Sequence, residues 1–549
     1  MTKFSASPLP LLCVLLLALA LRVWGLTWGL PSATHYFSYH PDESVVLGYA
    51  SQTMNVFAGH LLPHFYRYGS LQLYLVCFAN TLAALFGGVE IVPKDYAVWY
   101  PEWAKMYLIG RCLTVGMGVG TVWATYALGL RLWGKRAGLL AALILAITPL
   151  HAQHSHFLTV DVPATFWVML SLLWTVRLAT GDSKPLKAAL WAGVFAGLAA
   201  ATKYNMALVI LPLIVASFIN SSPTRFGRGG ACAGVGFLAF VLAFFAACPG
   251  ALLETNIFLS DFHAEAVHVQ NVNDPTFRDT GNGFIYHITH NLDAGLGLPL
   301  LLLVLVSIGY ALYRRERGDG LLAAFALPYY ILIGLAAVRY ARYAIPLLPI
   351  LSLWAGRMVA VGTRESAKIA PGFVKIVSAC VLLATFALTL LLIQPMAQID
   401  PRDQAILYLR PRATGANFAG APFFSEGPIG FPVQPWFGTV PVSPYFTLPR
   451  PGAWQAVTSP KTLKNIVYDG QDWDAKDLKA KKPPYVVLSE YDYDDALRLK
   501  DPAAEVYLKL LTHNYDRLWM NENTPQFSSR GLPHDMTYTD PIIYIYGRN

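Results

Sequence analysis

The chain has 549 residues, 55% of them hydrophobic and only 13% charged, and its mean hydropathy is +0.43. Soluble domains carry about 25% charged residues, so this composition excludes a soluble globular enzyme and implies a polytopic membrane protein. The net charge of +8 does not mark a nucleic-acid binder: residues 1–394 hold 25 Lys and Arg against 16 Asp and Glu, whereas residues 395–549 hold 16 against 17. The excess belongs to the apolar part, where Lys and Arg mark cytoplasmic loops, and no basic stripe is present. Cys13, Cys77, Cys112, Cys232, Cys248 and Cys380 all lie in apolar stretches with no CxxC spacing, so neither a zinc ribbon nor a redox motif is indicated.

In chain order, Leu9 to Leu30 is long enough to cross a bilayer, which takes ~20 apolar residues. No cleavage site follows it, so it reads as a retained anchor. The acidic pair of His40-Pro41-Asp42-Glu43 comes just beyond its exit, where a charge held at the membrane boundary needs a reason. A solvated acidic loop and a catalytic base are equal readings on position alone. Residues 70–88 are apolar enough to span, but crossing there would flip every later basic cluster. A helix lying in the outer interface keeps the charge rule, and the neighbouring Tyr66, Tyr68 and Tyr74 suit headgroup depth. Further apolar runs fall near 107–130, 137–150, 162–180, 188–202, 205–220, 231–250, 296–313, 321–338, 344–362 and 374–394. Basic clusters follow every second run: Arg131/Lys135/Arg136, Arg177/Lys184/Lys187, Arg225/Arg228, Arg314/Arg315/Arg317 and Arg364/Lys368/Lys375. With the N-terminus inside, all are cytoplasmic. This predicts about eleven transmembrane helices over 1–394, with 31–106 and 251–295 as the large outer loops and the C-terminus outside. Residues 395–549 turn polar, with Pro and Gly frequent between 411 and 452. Val486-Val487-Leu488 reads as a strand and Asp501 to Leu518 as a helix, so the tail is expected to be a small α/β extracytoplasmic domain.

This topology puts the histidines and nearly all loop carboxylates outside. Wet loops are polar, which explains that much. It does not explain cations there against the charge rule: Arg67, Lys203, Arg339 and Arg342, the last beside Tyr343, sit at outer ends of spans. They suit an anionic headgroup, and Arg favours planar recognition of phosphate. A carboxylate base with cations at one boundary implies that an acceptor hydroxyl gives its proton to the carboxylate and attacks a carbon whose leaving group is a phosphate. Sugar transfer from a lipid-linked phosphate fits. A divalent metal is the minor alternative: His151/His154 and His287/His290 could each share a helix face, but no spacing is diagnostic. A transporter would line its path with mid-membrane ionisable residues, and a non-catalytic subunit binding a lipid-linked glycan would need the cations without Asp42.

His40-Pro41-Asp42-Glu43, Tyr49-Ala50, Gly59, Pro63 and Tyr68-Gly69-Ser70-Leu71 resemble the first outer loop of the polyprenyl-phosphate-sugar-dependent GT-C glycosyltransferases. Those include protein O-mannosyltransferases and the lipid A aminoarabinose transferase. Gly110-Arg111, Ser155-His156 with Asp161-Val162-Pro163, and Arg342-Tyr343 with Pro346 and Pro349 are similar to later segments of the same family, in its order, over roughly 10–360. The resemblance implies a GT-C fold, an inverting single displacement and Asp42 as base, with Glu43 and Asp161 the alternative carboxylates. It implies a polyprenyl-phosphate-linked sugar as donor, held by Arg67, Lys203, Arg339, Arg342 and Tyr343. His40, Tyr68, His156 and Tyr204 are the further substrate-binding candidates. The expected location is the cell inner (plasma) membrane with a periplasmic catalytic face. Where family members carry Lys-Pro-Pro-Leu or His-Pro-Pro-Leu, this chain has Arg67-Tyr68-Gly69-Ser70-Leu71, so Arg67 takes the cation's place. The tail does not resemble a mannosyltransferase trefoil, so a lipid, protein or glycan acceptor stays open.

Overall fold

A computed structural model describes residues 8–32, 38–91, 96–181, 183–219, 226–364, 370–409, 467–468, 473, 475–482, 485–521 and 531–549. His35, Arg225, Lys368 and the proline-rich 411–452 stretch lie outside the described residues. The protein is a multi-pass helical membrane protein. Among the described residues, seven helices are long and apolar enough to cross a membrane: Pro101–Trp133, Asp161–Thr180, Pro185–Thr202, Gly227–Ala247, Arg317–Leu335, Ala341–Gly362 and Pro371–Ala397. Leu9–Val23, Leu71–Leu85, Tyr204–Phe218 and Leu298–Arg314 are shorter apolar helices, as is Lys135–Ala146. Each expected apolar run contains an observed helix, seven of them of crossing length among the described residues, and two of the runs have shifted bounds. The first helix stops at Val23, because Gly25 and Gly29 take positive φ and turn the chain. The run near 137–150 breaks at Ala146 and restarts as Pro149–His154, since proline is accommodated at a new helix start and not in an interior.

The bundle packs on small residues, which is how helices associate in lipid without a water-driven hydrophobic term. A Cβ on Gly193 would meet the Gly236 carbonyl oxygen at 2.0 Å, so helices Pro185–Thr202 and Phe226–Ala247 touch backbone to backbone. Leu12, Leu16, Phe237, Leu242, Val306, Leu312, Phe373 and Leu383 remain exposed on the outside of the bundle, as lipid-facing residues should.

Two ionic clusters define its ends. Arg342 starts helix Ala341–Gly362, and its guanidinium meets Asp42 at one end. Arg357, fifteen residues on and therefore ~22 Å along the helix, binds Asp319 at 2.7 Å and Glu316 at 2.6 Å beside the Trp133 ring. The spans are thus not free of buried charge: Arg22 and Arg111 are also fully buried in apolar helices, each answered by internal acceptors.

The tail contains a four-stranded sheet in the order β1-β2-β4-β3, with β1 Val467–Tyr468, β2 Tyr485–Ser489, β3 Tyr515–Met520 and β4 Ile543–Arg548. β1 runs parallel to β2; β4 is antiparallel to both β2 and β3, with Val487 opposite Ile545. The expected strand at Val486-Val487-Leu488 is β2. The expected helix over Asp501 to Leu518 is corrected to Pro502–Asn514, capped by Asp501, whose side chain accepts from Ala503 N at 2.8 Å. Residues 515–518 leave it because Tyr515 onward pairs with β4, a partner that a local helical pattern does not contain. Tyr507 and Leu511 bury the helix against Val486 and Leu488.

One part of the tail is not in this sheet. Residues 531–540 dock against the helical bundle, with Asp535 and Met536 fully buried there.

Candidate active site

Helix Pro41–Gly48 starts on His40, whose Nδ1 accepts from Asp42 N at 3.3 Å, with Pro41 at its first position. Successive helical residues point about 100° apart, so Asp42 and Glu43 face different surroundings. Glu43 turns inward and is fully buried. Its Oε1 accepts from Arg111 Nε at 2.8 Å and Leu158 N at 2.6 Å, and its Oε2 from Arg111 Nη2 at 2.7 Å and the Ser38 hydroxyl. Arg111 Nη1 donates to the carbonyls of Leu26 and Trp28 at 2.7 and 2.6 Å, and Nη2 also donates to Ser38 Oγ at 3.1 Å. Burial raises the Glu43 carboxyl; the adjoining guanidinium more than offsets that and holds it below the usual range. It is an ionised structural carboxylate with every acceptor direction used.

Asp42 faces out, with 21% of its side chain exposed and one cation, Arg342 Nη2, at 3.3 Å. Arg342 lies flat on the Tyr340 ring at 3.9 Å and turns Nη1 toward Asp535 Oδ2 at 3.6 Å. Lys203, at the C-terminal end of Pro185–Thr202, reaches Asp161 Oδ1 at 2.7 Å and stands over the Tyr343 ring at 4.8 Å. Three carboxylates and two cations thus alternate over one end of the bundle. Because each cation already has an anionic partner, it is held in place at a site of reduced dielectric, where its pull on a developing charge is strong.

The loop before Leu71–Leu85 adds a wall. Tyr204 OH bonds the carbonyls of Tyr66 and Tyr68 at 2.8 Å each. Tyr66 donates to Glu254, which also pairs with His64, and Tyr66 N bonds Asp261 at 2.7 Å. Gly69 is required by a close approach, since a Cβ there would sit 1.9 Å from the Ala201 carbonyl oxygen. Arg67 itself is exposed. Arg339 is set apart: it bonds Thr280 Oγ1 at 2.7 Å and the Ala336 carbonyl at 3.3 Å, and no hydrogen bond or ion pair joins it to Asp42, Asp161 or Asp535 among the described residues.

Of the histidines, His156 is used internally, its ring nitrogens lying 2.9 Å from the Ala152 carbonyl and 3.0 Å from that of Trp24. His151 takes Arg22 at 2.8 Å. His287 holds Asn291 and the Ile333 carbonyl, and His290 stacks on Tyr286. These rings are committed to structure, and among the described residues no three His, Cys, Asp or Glu side chains converge on a metal-sized site. His40 packs between Phe157 and Tyr538 with Nε2 unpartnered. His154 is fully buried and neither ring nitrogen has a hydrogen-bond partner. Burial keeps its imidazole below the ordinary value, against the pull of Asp535, Asp161 and Asp42. A neutral imidazole left this way forfeits roughly 1–3 kcal/mol unless a substrate meets it.

Sequence reasoning passed over Asp535 and named His154 only with His151, as a possible metal-ligand pair sharing a helix face; both histidines lie on helix Pro149–His154. Nothing local distinguishes Asp535, which lies in a tail of balanced charge.

The fold and this ionised cluster define a multi-pass helical membrane protein with a polar cluster at one end of its bundle. The family of dolichyl-phosphate-mannose-protein mannosyltransferases matches residues 108–249. No curated protein matches the chain. Among solved structures, the apo ArnT of Cupriavidus metallidurans superposes with a TM-score of 0.50 at 13% identity, over 98% of this chain and 97% of that one. The apo oligosaccharyltransferase of Archaeoglobus fulgidus gives a TM-score of 0.51 at 14% identity, over 94% of this chain and 73% of that one. The same enzyme tethered to an acceptor peptide gives 0.51 at 13%, over 96% and 74%. At these identities the likeness is one of fold. The family match spans 142 of the 549 residues, so the chain is similar to these proteins in sequence over that stretch and in fold over nearly its whole length.

Proposed function

We propose that the protein is a membrane glycosyltransferase that moves a sugar from a polyprenyl-phosphate carrier to an acceptor hydroxyl on the outer face of the inner (plasma) membrane. The observation that carries this is the separation of the acidic pair: Asp42 is partly exposed beside Arg342, while Glu43 is sealed on Arg111. In this reading Asp42 takes the acceptor proton as the acceptor oxygen attacks the anomeric carbon. The bond from that carbon to the phosphate oxygen breaks, and the bonding pair leaves with the phosphate, whose charge grows. Arg342 and Lys203 stabilise that growth, and attack opposite the departing phosphate inverts the anomeric centre. Tyr343 supports Lys203, Tyr204 holds the turn that carries Arg67 and Tyr68, and His154 offers its unused nitrogens to the sugar or phosphate. The matching family's description, a dolichyl-phosphate-mannose transferase, supports this donor class.

The membrane part is read as eleven crossings within 1–394, with Leu71–Leu85 lying in the outer interface, and 395–549 as an outer domain. The 251–295 loop and the tail form the acceptor side. The deciding experiment is Asp42→Asn in purified protein. Turnover is expected to fall ~10²-fold or more while polyprenyl phosphate still binds. Turnover near that of the unaltered protein would remove Asp42 as base and turn attention to Asp161.

A further inference from the structure

The segment 531–540 reaches back from the sheet to the bundle and is fastened at several points. Gln153 Nε2 donates to the Met536 carbonyl at 2.9 Å and lies 3.2 Å from Thr539 Oγ1. Arg402 Nη2 donates to the Tyr538 carbonyl at 2.7 Å, and the Tyr538 ring stands edge-on to His40 at 5.2 Å. Between these fastenings Asp535 is fully buried. Its Oδ1 accepts from Ala341 N at 2.9 Å and its Oδ2 from Arg342 N at 3.0 Å. The 3-10 turn Ala341–Leu347 has no side-chain cap from its own N-cap residue, Tyr340. Its first amides would otherwise be unpaired, and Asp535 serves them from 194 residues away. The same carboxylate faces Arg342 Nη1 at 3.6 Å, while Nη2 points to Asp42.

We propose that Asp535 is a positioning residue of the active site: it fixes both the backbone and the guanidinium of Arg342 so that this cation meets the donor phosphate. The proposal rests on the reading of Arg342 as a phosphate-holding residue. The tail is then part of the reaction site as well as an acceptor platform. Arg342 has a rigid fork with two anions competing for it. With Asp535 in place the fork is shared and held flat on Tyr340. Without it, nothing opposes a closed Arg342–Asp42 pair, which would occupy the phosphate-binding cation and the base together. Charge alone argues the other way, because deleting an anion beside a phosphate site should tighten phosphate binding. The two accounts therefore predict opposite signs.

The test is a double-mutant cycle on the full-length protein in lipid nanodiscs, measuring binding of undecaprenyl phosphate to wild type, Asp535→Asn, Arg342→Met and the double variant. Asp535→Asn is expected to weaken binding ~10-fold, the scale of one charge-assisted hydrogen bond. The double variant should bind no more weakly than Arg342→Met alone, since one residue acts through the other. Asp535→Glu should recover most of the loss. If Asp535→Asn folds poorly, Gln153→Ala loosens the segment and leaves its charge intact; its loss should likewise vanish in the Arg342→Met background. Tighter or unchanged binding in Asp535→Asn, or losses that multiply in the double variant, would overturn the positioning role while leaving Arg342 as phosphate ligand. Wild-type-like binding by Arg342→Met itself would instead overturn the underlying reading of the site, and this proposal with it.

Discussion

The nest around Glu43 and the cluster around Asp42 begin one residue apart and are built on opposite plans. In the nest, one carboxylate meets one guanidinium through two hydrogen bonds, and the leftover acceptors and protons go to Ser38, Leu158, Leu26 and Trp28. In the cluster, Lys203 takes Asp161 at 2.7 Å, while Arg342 is shared between Asp42 and Asp535 at 3.3 and 3.6 Å, with atoms left over: Arg342 Nη1 and both nitrogens of His154 lack a hydrogen bond. A saturated polar network fixes structure, and an unsaturated one leaves directions free for a ligand. That contrast supports the proposed division of the acidic pair, with Glu43 holding the fold and Asp42 left open to a ligand.

The largest expected effect comes from breaking the nest. Glu43→Gln leaves a fully buried Arg111 without its anion, and removing one partner of such a pair costs about 3–5 kcal/mol, a large part of the 5–15 kcal/mol by which domains are typically stable. Yield of folded protein and melting temperature should both drop sharply, and folded Glu43→Gln with normal stability would mean that the two plans do not differ. Asp42→Asn should do the reverse, costing ~10²-fold in turnover with little change in melting.

Lys203→Met and Arg342→Met sharpen the account of the open side. Each should weaken undecaprenyl phosphate binding by ~10-fold, and the difference from wild type should shrink as salt is raised. Arg339→Met, whose hydrogen bonds go to Thr280 and Ala336, should show the smallest change of the three. Equal binding by all three would reduce these cations to interfacial anchors.

The smallest effect concerns the tail. Burial pushes the Glu490 carboxyl up to about 8, where it accepts from Ile542 N at 3.2 Å. Its folded value lies above its unfolded one, so the folded tail holds the extra proton. That contribution is complete below about pH 4.5, the ordinary carboxyl value, and is lost as pH rises toward 8. The melting transition of the tail should fall by a few degrees between pH 5 and 8, and Glu490→Gln should flatten that slope. An unchanged slope in the variant would assign the pH dependence elsewhere.

Much of the bundle was legible because span formation is local. Twenty apolar residues make a helix that lipid accepts whatever its neighbours do, and Gly25, Gly29 and Pro149 mark where a run must turn or restart. The limits show at residues 515–518, which carry a helical pattern and pair as a strand because β4 lies beside them. Four members of the cluster, Asp42, Asp161, Lys203 and Arg342, were named from the sequence, because charges beside apolar runs stand out in the chain. Arg111 was visible only as a motif residue, since its role is a contact made by folding.

From the sequence alone came the membrane class, the order of the helices and the gathering of charge at their ends, all of which follow from hydropathy and charge read along the chain. Only the tertiary structure decided which of two adjacent carboxylates points inward, which cations share a cluster, and that Asp535 closes it from 194 residues downstream of Ala341. The reason is physical. Hydropathy acts residue by residue, whereas the orientation of a charged side chain depends on which partner packing brings within about 3 Å, and that partner can lie anywhere in the chain.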